Sequence, residues 1–156
     1  MTIEEIAKLM VTKGKGILAA DESTGTMGKR LKSVNVESNE KNRLHFRETL
    51  FTSDSMKTSI SGVILYDETI RQTSSKGVLI PELIKNSGSI PGIKVDKGAK
   101  LLAGSDDEKI TEGLDGLRER MEEYYNLGAR FAKWRAVYSI SSKHPSEQCV
   151  KRMLMH

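Results

Sequence analysis

Ionisable residues stand at the ends of three short apolar runs that read as buried strands, and this arrangement limits the folds open to the chain. The three segments are A-A-D-E-S-T-G (19–25), G-I-K-V-D-K-G (92–98) and F-A-K-W-R (131–135). An ammonium or carboxylate group taken from water costs several kcal/mol unless it is paired or bound. Three such ends, far apart in sequence, are explained if the strands run parallel and their ends converge on one pocket.

Strand-like and helix-like segments alternate along the chain. Strands are predicted at 17–20, 60–66, 92–96 and 129–138. Helices are predicted after the Thr2–Glu5 capping box, over 39–50, 81–87 and 111–126, and from 144–147 onward, with a turn-forming loop at 23–28. This alternation indicates an α/β fold of right-handed parallel βαβ units. Four such units fit either an open doubly wound sheet or half of an eight-stranded barrel, and no G-x-G-x-x-G follows the first strand to indicate dinucleotide binding.

The charge of the chain argues against a nucleic-acid-binding module. The net charge is +4, from 25 basic and 21 acidic residues, but the basic residues are interleaved with acidic ones, as in R-E-R-M-E-E at 118–123. Such interleaving is typical of a solvated helix face. Phosphorylated small molecules fit the modest positive excess equally well.

Cysteine and histidine give no sign of a disulfide framework or a metal centre. Cys149 is the one cysteine, and with His45, His144 and His156 it shows no metal-ligand spacing. We therefore expect no metal and regard the thiol as a bystander in a reducing compartment. Because no apolar run approaches the roughly 20 residues of a membrane span and Glu4 and Glu5 interrupt any signal-like start, we expect a cytoplasmic protein without a membrane partner.

The polar strand ends are candidates for one site. Asp21, Lys94 and Lys133 would share a cavity at the carboxyl ends of barrel strands, and Arg135 points to the same side of its strand as Lys133. A carboxylate flanked by two ammonium groups can hold a phosphate and polarise a substrate oxygen. A buried ion-pair cluster without chemistry explains the same spacing. The hydroxyls at 23–26 suit phosphate contacts, although an ordinary turn is the commoner reading, and Trp134 is predicted to pack in the core.

Taken together, the segments resemble the class I (Schiff-base) fructose-bisphosphate aldolases. L-A-A-D-E-S-T-G (18–25), G-I-K-V-D-K-G (92–98) and A-K-W-R (132–135) occur in that family in this order, and V-I-L-Y-D-E-T (63–69) resembles its second strand. The resemblance covers roughly 14–150. It implies that residues 1–156 are the N-terminal half of a TIM (β/α)8-barrel domain, with about the first four βα units.

The resemblance also implies roles for individual residues. Asp21 matches the carboxylate that helps proton transfer at the hydroxyl next to the bond being cleaved. Lys133 matches the cation that assists Schiff-base chemistry and steadies charge on substrate oxygens. The matched substrate-binding positions are Ser23, Thr26, Arg30, Arg43, Lys94 and Arg135. Many relatives carry serine where Thr26 stands, a change that keeps the hydroxyl.

The implied function is that of a lyase of glycolysis and gluconeogenesis. It would cleave fructose 1,6-bisphosphate reversibly to dihydroxyacetone phosphate and glyceraldehyde 3-phosphate, without a metal or other cofactor, and the full-length protein would be a homo-oligomer. The family's Schiff-base lysine, main acid/base glutamate and glycine-rich phosphate loop belong to later strands, so we expect the fragment alone to be inactive. The alternative is a non-catalytic half-barrel that at most binds sugar phosphate.

Residues 152–156 depart from the family. Close relatives continue with a small-residue helix of the type A-N-A-H-A, whereas this chain reads R-M-L-M-H. A one-base shift in codons for the first sequence yields the second. We expect a frameshifted tail with early termination, and a genuine variant helix is the alternative.

Overall fold

The computed structural model describes residues 1–154. Its helices are α1 (Ile3–Met10), α2 (Thr24–Ser33), α3 (Glu40–Phe51), α4 (Ser55–Ser59), α5 (Asp67–Ile70), α6 (Ile80–Asn86), α7 (Leu117–Asn126) and α8 (Glu147–Leu154). Its strands are β1 (Gly16–Ala20), β2 (Ile60–Leu65), β3 (Ile90–Lys94), β4 (Ala99–Leu101), β5 (Lys109–Thr111) and β6 (Phe131–Lys133). Across residues 1–154, helices with the length and apolar character of a membrane span are absent.

The chain divides into two compact units. The sheet unit comprises Met1–Lys94 and Glu122–Ala132, and the hairpin unit comprises Val95–Met121 and the chain from Lys133 onward. The first contains the parallel strands and most helices, and the second contains the β4–β5 hairpin and α8.

The sheet unit is a parallel α/β structure, as the alternation of segments predicted. The strand order is β1-β2-β3-β6. β1 pairs with β2 in parallel, with Ala20 opposite Leu65, and β2 pairs with β3 in parallel, with Leu65 opposite Ile93. Since all three strands point the same way, their carboxyl ends lie at one edge of the sheet.

The core of the sheet unit forms where helices cover these strands. Val63 and Leu65 are fully buried on β2, and Ile80 and Ile84 of α6 are equally buried. Gly92 permits the close approach of the Phe131 ring, because an added Cβ would lie 2.3 Å from Cζ of that ring. The glycine of the G-I-K-V-D-K-G segment therefore has a packing role.

Several local predictions are confirmed. Thr2 and Glu5 form a reciprocal capping box at the start of α1, and Pro81 lies in the first turn of α6. The predicted helix at 39–50 is α3, whose N-cap is Asn39, with a side chain that accepts the Asn42 N–H at 2.9 Å. These elements depend on signals that lie within a few residues of one another.

The turn-forming loop predicted at 23–28 is wrong. Ser23 is the N-cap of α2, and the helix runs from Thr24. Met27 and Leu31, which are four residues apart and therefore share one face, are both buried. Burial of this face stabilises a helix in a segment whose glycines and hydroxyls by themselves favour a turn.

The helix predicted over 111–126 begins only at Leu117, because the preceding residues form a hairpin. β5 pairs antiparallel with β4, and Thr111 lies opposite Ala99. Gly113 and Gly116 have φ angles of +134° and +64°, which a helix cannot contain. The Thr111 hydroxyl is buried and donates to the Arg135 carbonyl at 2.8 Å, which fixes β5 by a contact distant in sequence.

The strand predicted over 129–138 is too long. β6 covers Phe131–Lys133, and the residues at 134–140 have no regular structure. Val137 and Tyr138 are exposed, so no packing layer extends the strand. Trp134 is half-buried rather than enclosed in the core.

The last helix starts at Glu147, at the end of the predicted opening segment. Residues 152–154 complete α8, in which Met153 is buried. The remainder of the predicted frameshifted tail, 155–156, lies outside the described residues.

Candidate functional site

The carboxyl edge of the parallel sheet collects polar side chains from all three paired strands. Asp21 directly follows β1, Asp67 and Glu68 begin α5 just after β2, and Lys94 ends β3. Asp21, Glu68 and Lys94 are partly buried. Of the three residues predicted to share a cavity, Asp21 and Lys94 lie at this edge, whereas Lys133 belongs to the hairpin unit.

Arg43 of α3 binds Glu68 through a bidentate contact. Its Nε donates to the two carboxylate oxygens at 2.9 and 3.2 Å, and its Nη2 donates to Oε2 at 2.5 Å. Nη1 donates to the Ser38 carbonyl at 3.1 Å. The hydrogen bonds that Arg43 donates to Glu68 raise the pKa of Arg43. This predicted substrate-binding residue therefore joins α3 to the exit of β2.

Arg47 lies one helical turn further along α3 and has no solvent-exposed surface. Its Nε donates to the Ala20 carbonyl at 3.2 Å, and its Nη2 donates to the Glu22 carbonyl at 2.5 Å. Burial lowers the pKa of this guanidinium, against the attraction of Glu22 and Glu68. Arg47 is not among the site residues predicted from the sequence, and its four-residue spacing from Arg43 is the signal that could have identified it.

The start of α2 uses the predicted hydroxyls as caps. Ser23 Oγ accepts the Thr26 N–H at 3.4 Å and lies 3.1 Å from the Thr26 hydroxyl. Arg30 forms an ion pair with Glu22, while its own side chain remains largely exposed. The first turn of α2 begins three residues after Asp21, and helix N-termini favour anions.

Two further predicted residues, Lys133 and Arg135, belong to the hairpin unit. Lys133 is half-buried at the end of β6, and its carbonyl accepts the Val95 N–H at 3.1 Å. Arg135 is exposed, and its carbonyl accepts the Thr111 hydroxyl. Their assigned roles stay predictions.

The hairpin unit also contains a buried polar cluster. Glu108 Oε1 accepts the Ser146 N–H at 2.7 Å, and hydrogen bonds from the Ser146 hydroxyl and backbone lower the pKa of Glu108. Burial raises the pKa of the Cys149 thiol, so that it stays protonated and is a poor nucleophile. Within residues 1–154, no three or more His, Cys, Asp or Glu side chains are grouped to hold a metal ion.

Comparisons with known proteins agree with one another over nearly all of the chain. A family model described as fructose-bisphosphate aldolase class-I matches residues 2–154. A probable fructose-bisphosphate aldolase class 1 of Xylella fastidiosa is 56% identical over 153 residues, which cover 96% of this chain and 46% of the relative. The fructose-bisphosphate aldolase cytoplasmic isozyme 1 of Pisum sativum is 55% identical over 146 residues, or 94% of this chain and 41% of the relative.

A solved structure gives the same result for the fold. The fructose-bisphosphate aldolase of Plasmodium falciparum, in complex with TRAP and a small-molecule inhibitor, is 45% identical and superposes with a TM-score of 0.90. The match covers 95% of this chain and 43% of that one. The chain thus spans somewhat less than half the length of the proteins that it resembles.

Proposed function

This chain belongs to the class I fructose-bisphosphate aldolase family, and we propose on that premise that it is part of a carbon–carbon lyase. The reaction is the reversible cleavage of fructose 1,6-bisphosphate to dihydroxyacetone phosphate and glyceraldehyde 3-phosphate. The observation that carries the proposal is the shared carboxyl edge of β1, β2 and β3, where Asp21 and Lys94 follow or end parallel strands. In barrel enzymes this edge forms the active site.

Asp21 would assist proton transfer at the substrate hydroxyl next to the bond that breaks. Lys133 would support Schiff-base chemistry as a fixed positive charge. The phosphate and hydroxyl groups of the substrate would be bound by Ser23, Thr26, Arg30, Arg43, Lys94 and Arg135. The capped first turn of α2 supports the binding of an anion near Asp21.

The architecture proposed for the whole protein is a (β/α)8 barrel, with residues 1–156 supplying about its first four βα units and 152–156 a frameshifted tail. The parallel sheet and the likeness to the Plasmodium enzyme support the barrel. We further propose a cytoplasmic homo-oligomer; the location is supported by the cytoplasmic isozyme among its relatives.

The substrate proposal is tested by titrating the labelled 156-residue chain with fructose 1,6-bisphosphate and following its backbone amide signals by NMR. Shifts are expected at 21–26 and at Lys94, and Lys94→Gln should weaken binding about tenfold by removing one phosphate contact. Lys57→Gln is the matched control, because Lys57 lies on α4 before β2, away from the carboxyl edge. Equal losses in both variants would contradict the proposed site.

Turnover is a separate question from binding. In the family pattern the lysine that forms the Schiff base follows later strands, so the 156-residue chain should form no adduct with dihydroxyacetone phosphate when borohydride is added. Binding without an adduct is the result expected for a non-catalytic half-barrel. A stoichiometric adduct on Lys133, abolished by Lys133→Met, would show instead that this chain carries its own nucleophile.

A further inference from the structure

We propose that Arg47 is a positioning residue that fixes the backbone on both sides of Asp21 and so determines where the Asp21 carboxylate stands. The inference rests on the proposed function, in which Asp21 acts on the substrate. Arg47 itself is enclosed in the protein, with no exposed surface, and it would act through the chain that carries Asp21.

The geometry is that of a clamp around one residue. Nε of Arg47 donates to the carbonyl of Ala20, which is the residue before Asp21, at 3.2 Å. Nη2 donates to the carbonyl of Glu22, the residue after it, at 2.5 Å. Because a guanidinium is planar and rigid, two bonds from one group fix the separation and the orientation of both peptide units.

The distances around Arg47 show that its closest contacts are not ion pairs with carboxylates. The nearest oxygens of Glu68 and Glu22 lie 3.7 and 3.9 Å from its nitrogens, beyond hydrogen-bond distance. Its short contacts go to main-chain carbonyls instead. Burying a guanidinium costs desolvation free energy. Replacing a buried ion pair with apolar side chains of similar volume is often neutral or stabilising. The arginine is therefore explained by what it binds rather than by stability.

Neighbouring pairs hold the clamp in place. Glu68, on one side, is bound by the bidentate contact from Arg43. Glu22, on the other, is nearly buried and pairs with the largely exposed Arg30. The Arg47 guanidinium thus lies between two carboxylates that are themselves fixed, which limits its freedom to move.

The need for a clamp follows from the short connection at this point. β1 ends at Ala20 and α2 begins at Thr24, so only residues 21–23 join them. The Ser23 cap holds the far end of this segment. Arg47 supplies the long-range contacts at its near end and middle, where Asp21 is attached.

The test measures backbone order at Asp21 directly and ligand affinity separately. Arg47→Met removes both hydrogen bonds, whereas Arg47→Lys keeps the charge but replaces the rigid two-nitrogen fork with a single ammonium nitrogen on a flexible stem. Phe51→Leu is the matched control, since Phe51 is a buried residue on the same face of α3, one turn further on. The 15N relaxation order parameter of the Asp21 amide is recorded for each folded protein.

We expect an order parameter of about 0.85 in the original chain and in Phe51→Leu, below about 0.6 in Arg47→Met, and between these in Arg47→Lys. An unchanged value in Arg47→Met would overturn the inference. If that variant does not fold, the Lys variant decides: a value equal to that of the original chain overturns the clamp, and an intermediate value supports it.

The second measurement is the affinity for fructose 1,6-bisphosphate in a double-mutant cycle with Asp21→Ala. Arg47→Met should weaken binding about tenfold alone and less than about twofold when Asp21→Ala is already present, because it acts through Asp21. Equal losses in both backgrounds would assign Arg47 a general structural role and overturn the inference. If the original chain binds no fructose 1,6-bisphosphate, the proposed function fails, and the order parameters still decide the role of Arg47.

Discussion

The sheet unit and the hairpin unit place their polar groups by different means. In the sheet unit, consecutive parallel strands end at a common edge, so the regular ladder determines where Asp21, Glu68 and Lys94 stand. In the hairpin unit, strands of three residues alternate with long irregular segments, and the polar groups are held by individual side-chain bonds such as Thr111 to Arg135. Regular strand pairing positions all the strand ends at one edge, whereas each polar group on an irregular segment is positioned by its own side-chain contact.

The two units also differ in the charge that they bury. The sheet unit encloses the cation of Arg47, whose Nε and Nη2 donate to backbone carbonyls. The hairpin unit encloses the anion of Glu108 and satisfies it with the N–H and hydroxyl of Ser146. Among residues 1–154, Arg47 and Glu108 are the most deeply buried charged residues of their respective units, so substituting each tests how its unit is held together.

The largest expected loss of stability comes from truncating a buried leucine. One such leucine in each unit allows the two units to be compared. Leu65 is fully buried in the central strand β2, and Leu65→Ala should lower the free energy of unfolding by about 3 kcal/mol. Leu102→Ala, in the hairpin unit, should cost less, because irregular chain around it can collapse into the space. Urea unfolding followed by circular dichroism measures both, and equal losses would remove the distinction between the units.

A smaller loss is expected from the charge network of the sheet unit. Glu68→Gln removes the carboxylate that binds Arg43 and lies beside Arg47, leaving two cations close together. Because Glu68 is partly exposed, the cost should be about 2 kcal/mol, below that of breaking a fully buried pair. The exposed Glu37 provides the control as Glu37→Gln. A loss no greater than the control's would show that the network does not stabilise the sheet unit.

The buried anion of the hairpin unit predicts a pH dependence. The pKa of Glu108 is lower in the folded chain than in the unfolded one, since Ser146 binds the charged form. The folded state therefore gains stability above the ordinary glutamate pKa of about 4.3 and loses that gain as the pH falls through the lower folded value. NMR signals of α8 followed between pH 7 and pH 3 should report this loss, and Glu108→Gln should flatten it. An unaltered profile in Glu108→Gln would assign the dependence to other carboxylates.

The smallest effect should come from the surface of the hairpin unit. Lys151 and Glu147 form an ion pair of 2.6 Å on α8, with side chains 70% and 81% exposed. Such pairs contribute little, because water screens them and two flexible side chains must be ordered. Lys151→Ala should change the unfolding free energy by less than about 0.5 kcal/mol. A larger change by calorimetry would indicate that α8 depends on this pair more than its exposure suggests.

Local sequence signals determined much of the fold. The alternation of apolar strands with helical segments gave the parallel α/β sheet, and the Thr2–Glu5 capping box and Pro81 gave the starts of α1 and α6. The polar residues after apolar runs gave the edge at which Asp21 and Lys94 lie. Each of these signals acts over a few residues, so the sequence carries it without knowledge of distant contacts.

Tertiary contacts decided the remainder. The segment that begins at Ser23 forms a helix because Met27 and Leu31 are buried. Thr111 belongs to a hairpin that the local sequence pattern did not predict. The role of Arg47 depends on carbonyls 27 and 25 residues away in the chain. A spacing pattern identifies the face of a helix, but it cannot identify a main-chain carbonyl on another element, because every residue offers the same acceptor. Only the folded structure selects which carbonyls a buried guanidinium meets.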